Sequence, residues 1–226
     1  WLLPYSSCNL GSINLGKFFI EDAPETADWE SRVDWDAFDQ TVDECVRFLD
    51  NVVAINRFPI PEIRERAEEE RRIGLGVMGF ADLLFRLGIR YGSEQSFEVG
   101  RAFSKRMMDQ SLAASEALVS EGGKAPFGAW EGSKPHAEKA SPRRNSHLTT
   151  VAPTGTISII AGCSAGIEPL FSLVFQRKVM KDADGVPVVM REANVDFRTA
   201  LEKAGLGEQK IEEVTEVALE EGSIAA

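Results

Sequence analysis

"HLTTVAPTGTISIIAG", residues 147–162, decides how this chain is put together. An apolar, β-rich run leads into Pro153-Thr154-Gly155-Thr156, and a second apolar run, "TISIIAG", follows at once. Proline and glycine punctuate the two runs, so the spacing predicts two short buried strands joined by a tight turn. Such a turn presents successive backbone N–H groups and two hydroxyls, donors suited to a phosphate in a nest-like concavity. A helix starting nearby would add its N-terminal dipole. A plain turn between buried strands accounts for the same residues.

Upstream, the apolar positions Phe38, Val42, Cys45, Val46, Leu49 and Val53 follow helical spacing, with Asp34 available as an N-cap. Cys45 lies on that apolar face and reads as core. "NRFPIPEI" ends the helix, because two prolines and the residues before them cannot continue it. A charged helix follows, "PEIRERAEEERR", and then "IGLGVMGFADLLFRLGI", where Phe80, Leu83, Leu84 and Leu87 form a helical stripe closed by Gly88. Ser93 offers an N-cap for a long helix to about Val119, and residues 121–135 read as a loop. Residues 1–20 read as a loop and a short strand around Ile13, Leu15 and Phe18; "FSLVFQRKVM" is a further β-rich run, and two helices close the chain. Helices alternating with a few short buried strands give an α/β class.

The chain has 226 residues, 25 of them Lys or Arg and 36 Asp or Glu, for a net charge of −11. An acidic field of that size opposes general affinity for nucleic acid or for an anionic membrane surface. No apolar run approaches the roughly 18 residues of a membrane-spanning helix, and no signal peptide is visible. The first residue is Trp1, not methionine, and the chain is expected to be a piece of a longer polypeptide. Cys8, Cys45 and Cys163 have no metal-ligand or CxxC spacing, which argues against a zinc site and a disulfide framework and for a reducing cytoplasm.

Other motifs carry less. "GLGVMG" matches G-x-G-x-x-G at Gly74, Gly76 and Gly79, but a charged helical surface precedes it where a dinucleotide fold needs a buried strand. Close packing of a helix against another backbone accounts better for these glycines. Arg143 and Arg144 could steer an anion or form a solvated surface pair, and His136 and His147 have no ligand or acidic partner at useful spacing. Cys8 is the unusual cysteine. It sits in "SSCNLGSINL", a polar, hydroxyl-rich turn, where most buried cysteines occupy apolar runs.

Four blocks in order, "LLPYSSCNLGSINL", "RRIGLGVMGFADLLFRLGI", "HLTTVAPTGTISIIAGCSAGIEPLF" and "EEVTEVALEEGSI", resemble the catalytic chain of ribonucleotide reductase, and most closely its adenosylcobalamin (vitamin B12)-dependent class. The likeness covers nearly the whole chain and is weakest at residues 21–35 and 181–193. It implies a ten-stranded α/β barrel of two five-stranded halves, with residues 1–226 as a single fragment of roughly the second half. It also implies reduction of a ribonucleotide at its 2′ position by a thiyl radical, started by a 5′-deoxyadenosyl radical from adenosylcobalamin. Two further cysteines supply the electrons and end as a disulfide.

The resemblance makes Cys8 one of those two reducing cysteines. A thiol that is oxidised and re-reduced needs access and a mobile polar setting. The family's substrate-phosphate loop falls on Pro153, Thr154, Gly155, Thr156 and Ile157, with Ser158 added. Cys163 is structural in this scheme, Glu168 braces the loop, and no metal ligand is expected. The family's "NPCGE"-type motif, with the radical cysteine, is absent here, and so is the other reducing cysteine. The piece alone is therefore expected to be inactive. Expected partners are the ribonucleotide, the remaining half of the polypeptide and a thioredoxin-type reductant, with a homodimer admitted. Two alternatives stay open: the large subunit of an iron-dependent reductase, which shares "CNLGSINL", and a non-catalytic nucleotide- or partner-binding domain.

Overall fold

In the computed structural model, residues 2–24, 26–181 and 187–221 are described, and they form two compact units that divide at Glu168/Pro169.

The first unit, residues 1–168, is built on parallel strands. Strand β1 (Asn9–Asn14) and strand β2 (Ile73–Met78) pair in parallel, from Asn9↔Ile73 to Asn14↔Met78. Residues 147–150 extend the ladder on the other side of β2 through a parallel bridge, Leu75↔Thr149. Its backbone bonds run from Ile73 N to His147 O at 3.1 Å, Leu75 N to Leu148 O at 2.8 Å and Thr150 N to Leu75 O at 2.9 Å. Parallel neighbours need crossovers. Helices α1 (Trp35–Ile55) and α2 (Pro61–Glu70) make the first, and α3 (Phe80–Leu87) and α4 (Glu94–Ser120) make most of the second. Strands joined through helices in this way are α/β architecture.

Helix α1 forms where its periodicity places it. The Asp34 carboxylate accepts from Ala37 N at 3.0 Å, capping the first turn. Phe38, Val42, Val46, Leu49 and Val53 are buried and meet Ile13, Ile73 and Leu75 of the sheet and Val99, Phe103 and Met107 of α4 in one core. Rings of Trp35, Phe38 and Phe103 close one end, with Phe38 and Phe103 edge to face at 5.1 Å. The Ser93 hydroxyl caps α4 by accepting from Ser96 N at 3.2 Å. Helix α3 ends at Gly88, whose φ of +72° gives the left-handed turn that glycine adopts without a Cβ penalty.

Asp50, on α1, is fully buried and gathers three cations from distant parts of the chain. Arg71 Nε and Nη2 donate to its Oδ1 at 2.9 and 2.7 Å, and Lys124 Nζ donates to Oδ2 at 2.9 Å. Arg144 Nε lies 3.4 Å from Oδ1, and Asn145 Nδ2 donates to the same oxygen at 3.1 Å. Arg144 is thus neither a solvated surface group nor an anion guide. Arg143 places its guanidinium on the Ser146 carbonyl at 2.9 Å.

Two elements differ from the sequence reading. Residues 73–78, grouped there with a helix, form β2, which is almost wholly buried. Residues 155–161, read as a strand, form helix α6 (Gly155–Ala161), which follows the short helix α5 (Lys134–Ala137). Thr154 takes a left-handed conformation, φ +55°, and turns the chain from the extended run into the helix. The isoleucines of α6 are exposed, so no core selected between helix and strand, and β-branched composition alone misled.

The second unit, residues 169–226, has an antiparallel hairpin of β3 (Val174–Lys181) and β4 (Pro187–Ala193), with an irregularity between Lys178 and Met180. Helices α7 (Val195–Lys203) and α8 (Glu208–Glu221) follow, and Val174, Phe197 and Ala218 form its small core. The expected "FSLVFQRKVM" strand and the two closing helices are all present.

Candidate active site

Even-numbered residues of β1 and β2 share the sheet face turned away from the α1 core. Cys8 lies one residue before the Asn9↔Ile73 pair and is half-buried. A Cβ on Gly74 would stand 2.7 Å from Leu10 Cδ2, 3.0 Å from Thr150 Cγ2 and 3.1 Å from Cys8 Sγ. A Cβ on Gly76 would stand 2.5 Å from the Thr150 carbonyl oxygen. Two glycines of the G-x-G-x-x-G pattern therefore make room for three neighbours on this face. They pack a strand, not a helix, against another backbone. Burial pushes the Cys8 thiol above its ordinary pKa, and the Arg72 charge draws it partly back. Its Sγ lies 3.7 Å from the Asn9 carbonyl.

The 147–150 strand runs on through Val151 and Ala152 to the turn. Pro153, Gly155, Thr156 and Ile157 are exposed, while Thr154 and Ser158 are buried. The two threonine hydroxyls are not equivalent, because Thr154 Oγ1 accepts from Gly166 N at 2.7 Å and only Thr156 faces outward. Ser158 Oγ donates to the Gly155 carbonyl at 3.3 Å. No side chain caps the N-terminus of α6.

The returning segment, residues 162–168, is held at the C-terminal ends of β1 and β2. Ser164 N donates to Asp82 Oδ2 at 2.6 Å, and Gly79 N donates to Ser164 O at 2.8 Å, so both backbone polar groups of this residue are held. Gly79 has a φ of +72°, and a Cβ there would sit 2.3 Å from Asn14 Oδ1. Gly166, φ +47°, lets the segment pass close to the Ala152 carbonyl. Ligands of open parallel α/β sheets gather beyond this end of the strands.

Cys8 thus stands at the start of β1 and the 153–158 turn beyond the end of the 147–150 strand on the far side of β2, with Thr150 the link between them on the shared face. Cys163 is half-buried next to Gly79; burial and the Asp82 carboxylate push its thiol up to about 11. An apolar cavity of about 590 Å³ opens beside Val151, lined by Phe80, Tyr91, Phe97, Met107 and Ile167; neither Cys8 nor residues 153–158 line it. Among the described residues no group of three or more His, Cys, Asp or Glu could hold a metal ion, and no helix is long and apolar enough to cross a membrane.

Sequence reasoning missed Asp82 and Asn14, and it read Gly79 as a packing glycine without its tie to the returning loop. The third glycine of the "GLGVMG" pattern was the available signal, since a glycine between a strand and a helix often marks a close backbone approach.

Parallel strands joined by helices, with a loop seated at their C-terminal ends, define an α/β domain, and comparison with known proteins supplies the family. The profile of the family described as "Ribonucleotide reductase, barrel domain" matches residues 2–143 and 136–225, and the chain belongs to that family. It is 43% identical over 210 residues to the "Vitamin B12-dependent ribonucleoside-diphosphate reductase" of Thermoplasma acidophilum, a match covering 93% of this chain and 25% of that protein. The identically named protein of Mycobacterium tuberculosis is 45% identical over 179 residues, or 79% of this chain and 24% of the relative. The "Ribonucleoside-diphosphate reductase subunit alpha" of Chlamydia pneumoniae is 29% identical over 216 residues, covering 80% of this chain and 20% of the relative. The chain spans about a quarter of the length of the curated relatives it matches.

Proposed function

We propose that this chain is part of the catalytic barrel of a vitamin B12-dependent reductase acting on ribonucleoside diphosphates, in which Cys8 is a reducing cysteine and residues 153–158 cradle the substrate phosphates. The overall reaction balances as one ribonucleotide plus two thiols giving one deoxyribonucleotide, one disulfide and water. Cys8 supplies one of the two thiols, and a thioredoxin-type dithiol then returns the disulfide to thiols. The closed ten-stranded barrel, with residues 1–226 as one fragment of it, belongs to this proposal.

The observation that carries the reading is the face shared by Cys8 and Thr150. A half-buried sulfur beside a bare glycine strip can be reached from the open side of the sheet. From the same face the chain proceeds to a turn whose N–H groups at Gly155, Thr156 and Ile157 lack a side-chain cap. Uncapped N–H groups at a helix start suit phosphate oxygens. The higher identity to the relatives named as B12-dependent, 43–45% against 29% for the one named subunit alpha, favours the B12-dependent class. Adenosylcobalamin would supply the initiating radical. Among the described residues no group of three or more His, Cys, Asp or Glu could hold a metal ion, and the cavity beside Val151 is apolar.

Two substitutions test the assignment in a reductase assembled from this segment and the rest of the polypeptide. Cys8→Ser should permit substrate hydrogen abstraction, followed by isotope exchange, while blocking dithiol-driven product formation. Full turnover removes Cys8 from the mechanism. Gly155→Val should weaken binding of a nucleoside diphosphate more than that of the nucleoside. A Cβ at Gly155 meets nothing within 4 Å, so equal losses for both ligands would count against the cradle.

A further inference from the structure

Arg72 immediately precedes β2, as Cys8 immediately precedes β1. Stepping back one residue from the Asn9↔Ile73 pair places Cys8 beside Arg72, on the face shared with Leu10 and Gly74. Arg72 is held there: its Nε donates to Glu70 Oε2 at 3.3 Å. The Ser6 hydroxyl, two residues before Cys8, donates to the same oxygen. The Glu70 carbonyl in turn accepts from Ser146 N at 3.1 Å. The Glu70 side chain is 9% exposed and that of Arg72 19%, so the pair is fixed and not a solvated surface contact.

We propose that Arg72, anchored by Glu70, is a positioning residue for the Cys8 sulfur, supplying the positive charge that sustains its thiolate. The purpose of that charge rests on the reductive role given to Cys8, since the thiolate is the attacking and the leaving form in disulfide exchange. The charge effect itself rests on the geometry. Burial disfavours an ionised thiol, and a neighbouring guanidinium opposes that penalty. Glu70 has two opposed parts to play. It fixes the guanidinium, and its own charge cancels part of the guanidinium's field.

The other groups around the sulfur contribute no competing charge above pH 7. Leu10, Gly74 and Thr150 are neutral. His147, on the adjoining strand, is held below its ordinary pKa by burial and by Arg72. Arg143 keeps its positive charge but turns it onto the Ser146 carbonyl, and Arg72 is the cation whose field reaches the sulfur.

The test is alkylation of the intact chain by iodoacetamide between pH 7 and pH 10, followed peptide by peptide, with Cys45 as internal reference. Arg72→Gln should slow Cys8 alkylation at pH 8 by about three- to fivefold and move its pH profile upward, as expected for one charge lost at this range. Glu70→Gln should accelerate it, because the guanidinium is then no longer neutralised. Arg72→Lys, which keeps the charge, should stay within about twofold of the parent. Opposite signs for the two glutamine variants support the proposal. A merely loosened segment would accelerate both, and that result overturns it, as does an unchanged rate in Arg72→Gln or a threefold loss in Arg72→Lys. Alkylation needs no substrate, so this outcome is separate from the Cys8→Ser result. If Cys8 proves to have no reductive role, the alkylation pattern still stands or falls by itself.

Discussion

Replacing Asp50 by asparagine removes one negative charge from the centre of the first unit and leaves its shape. Arg71, Lys124 and Arg144 are then left facing one another. Their side chains are 7%, 31% and 16% exposed, so Lys124 can turn to water while Arg71 cannot. Stranding one buried member of an ion pair costs about 3–5 kcal/mol. Partial exposure of the other two cations places Asp50→Asn near the lower end, about 3 kcal/mol. A unit of this size loses about 2–4 °C in midpoint per kcal/mol, so the expected fall is about 6–12 °C. Trp29, Trp35 and Trp130 belong to the first unit and the sequence of the second holds no tryptophan, so tryptophan fluorescence during urea unfolding follows the first.

The pH dependence supplies a second check on the same variant. Burial pushes the Asp50 carboxyl up, but the Lys124 and Arg71 hydrogen bonds and the Arg71 and Arg144 charges outweigh it and hold the pKa below the ordinary value. A depressed carboxyl stabilises the fold above the unfolded-state value of about 4 and loses that contribution as pH falls through the folded-state value. The gap between parent and variant should therefore be constant from pH 5 to 8 and close in acid. A loss below about 1 kcal/mol at pH 7, or a gap undiminished in acid, would refute the reasoning. Asp109→Ala, which removes an exposed partner of Lys105, is the control and should cost no more than about 0.5 kcal/mol.

Two further predictions concern the loop and the third cysteine. Gly79→Ala forces a Cβ into Asn14 Oδ1 at a left-handed backbone position; it should speed amide exchange across residues 162–168 more than across α1, and uniform exchange would mean that Gly79 does not hold that segment. Cys163, pushed up to about 11, should be at least tenfold slower to alkylate at pH 8 than an unhindered thiol, gaining rate up to about pH 11; fast labelling at pH 8 would show that burial does not protect it.

Legibility in the sequence followed the range of the forces involved. Helices α1 and α4 could be read because one core imposes a 3.6-residue period on Phe38, Val42, Val46, Leu49 and Val53, and because Asp34 and Ser93 cap locally. Strand β2 was hidden because Gly74 and Gly76 are selected by Cys8, Leu10 and Thr150, which lie far away in sequence. Helix α6 was hidden for the opposite reason: Ile157, Ile159 and Ile160 meet no core, so no period was written into them. The turn and Cys8 stood out through local composition. The Asp50 cluster did not, since its partners lie 21, 74 and 94 residues away. Glu70 and Arg72 read only as part of a charged helical surface, and nothing in their spacing pointed to Cys8.

The carbonyl of Thr150 lies so close above Gly76 that the contact is made by main chain on both sides. Most crowded interiors absorb an added methyl by turning a side chain into another rotamer. A peptide carbonyl has no such freedom, so an extra carbon at position 76 can be accommodated only by prising two strands apart. That displacement would pass along the ribbon to the segment carrying the turn, which makes this small spot a stiff joint between the two halves of the candidate site.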